Sequence, residues 1–297
     1  SHIFARTEAL SMTSRPRIGS SDVHLWFSFI PDRVTAVSQE RLDAYMAMMS
    51  PDERQQYSRF QIDRTRLQYA LTRALVRTTL SYYCPEVSPP HWSFSKNSHG
   101  RPFVVDAEDP AIPALDFNVS HTNGVIIMAV AERPHRVGVD IEDVNRAAQH
   151  SQVADRFFSV SELKQLDPLK STAAYAERFM HLWVLKEAYI KCKGAGLGIP
   201  LSSFSMNFAA AGQIELHDAN DGVKDIDTPS SSLAVGLLTL RPRFRVGLCV
   251  DSTSLSGQTQ PFHVRTYSSI PLVSFSPLPV DDVSIIACTA SSMKVVS

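Results

Sequence analysis

The sequence predicts an α+β fold. Helix-period and strand-period segments follow one another in irregular order with no βαβα rhythm, the clearest strand pair reads as a tight antiparallel hairpin, and no short internal repeat organises the chain. At 297 residues and 44% hydrophobic content, the chain has the material for a sizeable core and a length suited to about two domains.

Residues 1–20, which begin Ser1-His2 without a methionine, are expected to be a tag remnant or a flexible N-terminal segment and carry no weight in the fold. Ser50-Pro51-Asp52-Glu53 marks a helix start, with Ser50 as cap, Pro51 at the first helical position and Glu53 three residues beyond the cap. From there Leu67, Ala70, Leu71, Ala74 and Leu75 recur at helical spacing with arginines on the other face, predicting one long amphipathic helix. Pro85 to Pro90 ends it. Lys96 to Pro102 then forms a loop carrying Lys96, His99 and Arg101 around Gly100.

FNVSH and VIIMAVAE flank Thr122-Asn123-Gly124, and Asn-Gly between apolar runs predicts a two-strand hairpin. In VGVDIEDV, Val137, Val139 and Ile141 alternate with Gly138, Asp140 and Glu142, the pattern of a half-buried strand. Residues from about 151 to 194 are helical in pattern, stopping at Gly194, Gly196 and Gly198 ahead of Pro200. The last third reads as strands, FSMNF, FHVRTY and VSIIACTA among them. Asp218 to Ser232 is polar and rich in turn formers.

A net charge of -1 argues against bulk attraction to nucleic acid, which calls for a basic excess or stripe. The longest apolar runs fall short of the roughly 18 to 20 residues that a membrane-spanning helix needs. The four cysteines, Cys84, Cys192, Cys249 and Cys288, stand singly, so no zinc or disulfide spacing is signalled and the cytoplasm is the expected location.

Asp140 and Glu142, two apart on one strand, project from the same face and can converge on one cation, for which oxygen-only ligation favours magnesium or manganese. Taken alone, such a pair more often belongs to a solvated edge strand. Glu187 and Lys191 share a face one helical turn apart. As an ordinary i,i+4 pair they would contribute only about 0.3 to 0.5 kcal/mol, but the bulky neighbours Leu182, Trp183, Tyr189 and Ile190 make this helix a buried one. His121, following Asn118 and Ser120, is either a structural group or part of a phosphate site with Lys96, His99 and Arg101.

Together, GRP at 100–102, FNVSH, GVDIE, WVLKEAYIK and the glycine-rich GAGLGIP resemble the Sfp-type 4′-phosphopantetheinyl transferases. SPDERQQYSRF, RFFSVSELKQL and PLSSFSMNF extend the resemblance over about residues 25 to 210, and it implies FHVRTY and VSIIACTA as a closing hairpin. It implies a pseudo-twofold pair of similar α+β halves, expected at 21–135 and 136–297, with coenzyme A and magnesium in the cleft between them. It also implies Asp140, Glu142 and Glu187 as metal ligands. Glu187 would be the base, directly or through a metal-bound water, and Lys191 would act on the phosphates. Lys96, Arg101, Ser120, His121, Lys186 and Lys191 would contact coenzyme A. The implied partners are apo acyl or peptidyl carrier proteins, with no nucleic acid and no membrane, and a monomer is expected because the cleft forms within one chain. Gln55 and Gln56 stand where some relatives carry more basic residues, for which Arg64 or Arg66 would substitute, and the stretch at about 215–260 is longer than in compact relatives. Two other classes stay open from the residues alone: a silent module that binds carrier or coenzyme A, and a metal-dependent hydrolase of nucleotide pyrophosphates.

Overall fold

The computed structural model describes residues 16–105, 114–146, 154–209, 212–218, 233–251, 261–289 and 293–296. The expected N-terminal tag, up to residue 15, and the polar stretch at 219–232 lie outside the described residues.

The chain opens with β1 (Asp22–Phe29), then α1 (Gln39–Ala47), α2 (Pro51–Arg59) and α3 (Asp63–Tyr83). Ser50 forms the capping box that its spacing predicts: its Oγ accepts from Glu53 N, and its own N–H donates to Glu53 Oε2 at 2.9 Å. The single long helix expected here is two helices. Phe60 turns extended (ψ 131°) after Arg59, and α3 restarts at Asp63. The short strands β2 (Phe94–Lys96) and β3 (Pro102–Val104) pair with each other across the basic loop.

Strands β4 (Leu115–Thr122) and β5 (Val125–Glu132) form the predicted hairpin, with Gly124 at φ +96°, a backbone region that glycine enters at no steric cost. β6 (Arg136–Asp143) follows. The expected helix over 151–194 is divided into α4 (Ala154–Phe157), α5 (Val160–Leu166) and α6 (Ala173–Lys193). The divisions fall at a second capping box, on Ser159 and Glu162, and at the Asp167-Pro168 turn before Ser171 at φ +66°. Gly194, in the left-handed conformation, ends α6 where the sequence placed its stop.

The remaining strands are β7 (Phe204–Phe208), β8 (Ile214–Asp218), β9 (Leu233–Leu240), β10 (Phe244–Asp251), β11 (Phe262–Ile270), β12 (Ser274–Pro277), β13 (Val283–Cys288) and β14 (Met293–Val295). FHVRTY and VSIIACTA do not form a hairpin. β11 runs parallel to β1 in one sheet, whereas β13 pairs with β9 in another. β11 thus adds a third apolar ladder beside β1, and β13 covers the edge of β9 that β10 leaves free.

The first sheet has the order β12-β11-β1-β5-β4, with β14 also on β11; the second is β13-β9-β10-β6. Their facing sides form one apolar layer, including Leu25, Phe27, Ile127, Val139, Ile141, Leu238 and Val246. On the outer face of the first sheet, Trp26, Ile126 and Met128 pack against Leu71 and Leu75 of α3. On the outer face of the second, Leu237 and Cys249 pack against Val184, Leu185 and Ala188 of α6. The layers therefore run helix, sheet, sheet, helix. Among the described residues no helix is long and apolar enough to cross a membrane.

Two glycines set how closely α6 approaches its sheet. A Cβ at Gly138 would lie 2.1 Å from Ala188 O, and one at Gly247 would lie 2.1 Å from Val184 O. Only hydrogen fits at either position. Because Gly247 is paired with Asp140 and Gly138 lies two residues before it, this contact lies directly beside the predicted acidic positions.

Candidate active site at the seam between the sheets

Strands β4 and β6 are the edge strands of the two sheets, and side chains of β4 satisfy the edge of β6. Asp116 Oδ2 accepts from Val137 N at 2.8 Å, Asn118 Oδ1 accepts from Val139 N at 3.0 Å, and Ser120 Oγ donates to Asp140 Oδ1 at 2.7 Å. Thr122 Oγ1 donates to Glu142 Oε2 at 3.0 Å. These four residues occupy alternate positions of one strand and so share a face. They give the unpaired edge of β6 its hydrogen bonds and fix two carboxylates at once.

Across the seam, Lys191 of α6 donates from Nζ to Asp140 Oδ1 at 2.6 Å, to Ser120 Oγ at 3.0 Å and to Val139 O at 3.2 Å. Asp140 Oδ2 is buried and has no partner. Glu187, one turn before Lys191, is pushed up to about 7 by burial first and then by the Asp140 and Glu142 charges, against the opposing pull of Lys191. Glu142 is raised in the same way, by burial and by Asp140, with Thr122, Arg146 and Lys191 opposing. The three predicted acids thus lie within electrostatic reach of Asp140's carboxylate or of one another, with Lys191 paired to Asp140 and Arg146 also acting on Glu142. Among the described residues, however, no three His, Cys, Asp or Glu side chains are gathered closely enough to hold a metal ion as they stand.

Other predicted contacts lie elsewhere. The Arg101 guanidinium pairs with Asp116 at 2.5 Å, donates to Val137 O at 2.9 Å, and also donates to the main-chain oxygen of Lys191. Its terminal nitrogens tie the β2–β3 loop to β4, β6 and the end of α6, because a planar fork of N–H groups suits several acceptors in one buried place. Asn97 adds a bond from Nδ2 to Gly194 O at 2.7 Å. Lys186 points away from the acids into an ion pair with Glu162, both side chains being fully buried, since it lies about 100° round the helix from Glu187. His121 and Lys96 are exposed; His121 stands within electrostatic reach of Lys191 and Asp140.

Sequence reading singled out Ser120 but not Asp116, Asn118 or Thr122. The signal was the period of two in DFNVSHT, where Asp, Asn, Ser and Thr alternate with Phe, Val and His. A strand with so regular a polar row is facing hydrogen-bonding groups.

A family model described as the N-terminal part of 4′-phosphopantetheinyl transferases matches residues 36–133, and the model of the 4′-phosphopantetheinyl transferase superfamily matches residues 136–240. With the carboxylates and lysine at the seam between the two matched stretches, the chain belongs to the 4′-phosphopantetheinyl transferase superfamily. Within it the chain is an enzyme of the Sfp type. It is 33% identical over 186 residues to the 4′-phosphopantetheinyl transferase Sfp of Bacillus subtilis, spanning 62% of this chain and 78% of that one. It is 32% identical over 215 residues to the transferase ffp of Bacillus subtilis, spanning 72% and 87%. The L-aminoadipate-semialdehyde dehydrogenase-phosphopantetheinyl transferase of Schizosaccharomyces pombe is 34% identical over 162 residues, spanning 52% and 62%.

Proposed function

We infer that the enzyme transfers the 4′-phosphopantetheine arm of coenzyme A to a serine hydroxyl of an apo carrier protein, and that it does so at the seam between β4, β6 and α6. The observation that supports this placement is the divided state of Asp140: one oxygen holds Lys191 and Ser120 while the other is buried and unpartnered.

A buried carboxylate oxygen without a donor is costly unless a cation meets it. Two further acids, whose charge is disfavoured by burial first and then by Asp140, stand beside it. The donor chemistry of this all-oxygen set suits magnesium or manganese, and Asp140, Glu142 and Glu187 would hold the ion once their side chains converge on it. When bound, the ion supplies neutralisation of charge on the coenzyme A pyrophosphate.

The chain's own groups supply the rest. Glu187 takes the proton of the carrier serine. The serine oxygen forms a bond to the phosphorus that bears pantetheine as the phosphoanhydride bond breaks, and adenosine 3′,5′-bisphosphate leaves. Lys191 stabilises the oxygen charge of the departing phosphate, and Ser120 holds Lys191 and Asp140 in register. His121 and Lys96, both exposed, are the further phosphate contacts. Because β4, β6 and α6 come from one chain, a monomer holds the whole site.

The test is the intact mass of an apo carrier protein incubated with the enzyme, coenzyme A and magnesium, with and without a chelator. A chelator-sensitive gain of one phosphopantetheine is expected. Cleavage of coenzyme A with an unmodified carrier would favour a hydrolase, and both molecules left intact would favour a silent binding module.

A further inference from the structure

Helix α6 is gripped from two sides, and the second grip lies outside the site just described. Lys186 Nζ is 2.7 Å from Glu162 Oε1, donates to Phe204 O at 2.6 Å, and lies 4.1 Å from the centroid of the Phe204 ring. Glu162 in turn accepts from Met206 N through Oε1 at 2.8 Å and from Ser159 N through Oε2 at 2.8 Å. One carboxylate therefore caps α5, receives the edge of β7 and neutralises a lysine of α6, with 0% of either ion-pair side chain exposed.

The two grips constrain different motions. On the sheet side, Gly138 and Gly247 let the α6 backbone rest against β6 and β10, a close contact that sets the distance of the helix from its sheet. The Glu162–Lys186 bonds are short and directional, and they hold one face of α6 toward β7. Lys186 and Glu187 are neighbours in the chain, so fixing the direction of one fixes the direction of the other. A carboxylate about 6 Å from the helix axis moves about 1 Å for a rotation of about 10°, and a displacement of that size at a reacting group costs on the order of 100-fold in rate.

We propose that Glu162 is a positioning residue for the transfer reaction: through Lys186 it sets the rotation of α6 that aims Glu187 at the seam. The inference rests on the transfer reaction and on Glu187 as its base. Lys191, with its longer stem, follows a small rotation and still reaches Asp140, whereas Glu187 has less reach to spare. Loss of the grip therefore lowers kcat more than it raises KM for coenzyme A.

The measurement is steady-state loading of an apo carrier by the full chain with Glu162→Gln, Lys186→Met and both together. Each single variant strands a buried group of the pair; the double variant removes both charges and preserves much of the volume. The expected result for the double variant, measured at a temperature where circular dichroism shows it folded, is a kcat lowered at least about 10-fold with KM for coenzyme A within about threefold of wild type. A folded double variant with kcat within about twofold of wild type overturns the proposal, as does an equal loss spread over kcat and KM. Should the double variant fail to fold, Glu162→Gln carries the test with the same two readings, because glutamine still offers an acceptor to Met206 N. Wild-type enzyme that loads no carrier would instead overturn the transfer reading itself.

Discussion

Lys191 Nζ and Asp140 Oδ1 meet at 2.6 Å across the seam, and the contact leaves Asp140 Oδ2 buried with no partner. Three acids thus stand near one lysine, and burial first, then the Asp140 charge, raises the carboxyl groups of Glu187 and Glu142. A site so built holds protons until a cation replaces them.

Magnesium should therefore raise the melting temperature more at pH 8 than at pH 6. Glu187 is shifted from 4.5 to about 7, by burial first and then by Asp140. The folded protein keeps a proton that the unfolded chain gives up between those values, so this group's contribution to stability is present below about 4.5 and lost as pH rises through about 7. A cation removes that penalty where the carboxylate is charged. Thermal melts at the two pH values check it; equal shifts would show that the ion does not compete with this proton.

Asp140→Asn should lower kcat for carrier loading by about 100- to 1,000-fold or more. The amide oxygen still accepts from Ser120 and Lys191, and loss of the ion pair is offset by removal of a buried charge whose second oxygen has no donor, so the melting temperature should change little. Loading kinetics beside circular dichroism separate the two effects, and retention of most activity would remove Asp140 from the reaction.

Arg101→Lys should destabilise the fold, by about 3 kcal/mol if the buried pair with Asp116 is lost outright. An ammonium is a compact point charge and cannot bridge Asp116, Val137 O and Lys191 O as the guanidinium does. Urea denaturation measures the loss. A raised KM for coenzyme A with unchanged stability would return Arg101 to the phosphate-binding role that the family resemblance implied.

Acid should destabilise the protein as pH falls from about 6.5 to about 4 through His24 and His181. Burial is the main cause in each case and lowers both to about 4, so each is neutral in the fold yet protonates when unfolded. Their contribution is present above 6.5 and lost on the way down to about 4, at most about 3 kcal/mol apiece at 1.36 kcal/mol per pH unit. His24→Phe should flatten the slope of melting temperature against pH over this range.

The sequence shows the helix of Glu187 and Lys191 and the acidic strand plainly, because both rest on local spacing: Asp140 and Glu142 on a period of two, Glu187 and Lys191 on one helical turn. The Asn123-Gly124 hairpin and the Ser50 capping box are legible for the same reason. What distance along the chain conceals is partnership. Nothing near residue 101 announces that Arg101 will meet Asp116 and the end of α6, or that Lys186 will turn to Glu162 while its neighbour Glu187 turns to the seam. The strand FHVRTY was visible as a strand, but its place beside β1 depends on pairing across more than two hundred residues, which local propensity does not encode.

The glycines under α6 give the active site a one-sided tolerance. At Gly138 and Gly247 two main chains already touch, so any substitution at either position can only lift the helix, and none can draw it closer. If the separation of helix and strand is at its floor, the reach across the seam is tuned by side-chain length alone. In the site proposed above, the choice of aspartate at 140 and glutamate at 142 and 187 then becomes the dimension that sets the size of the reaction space.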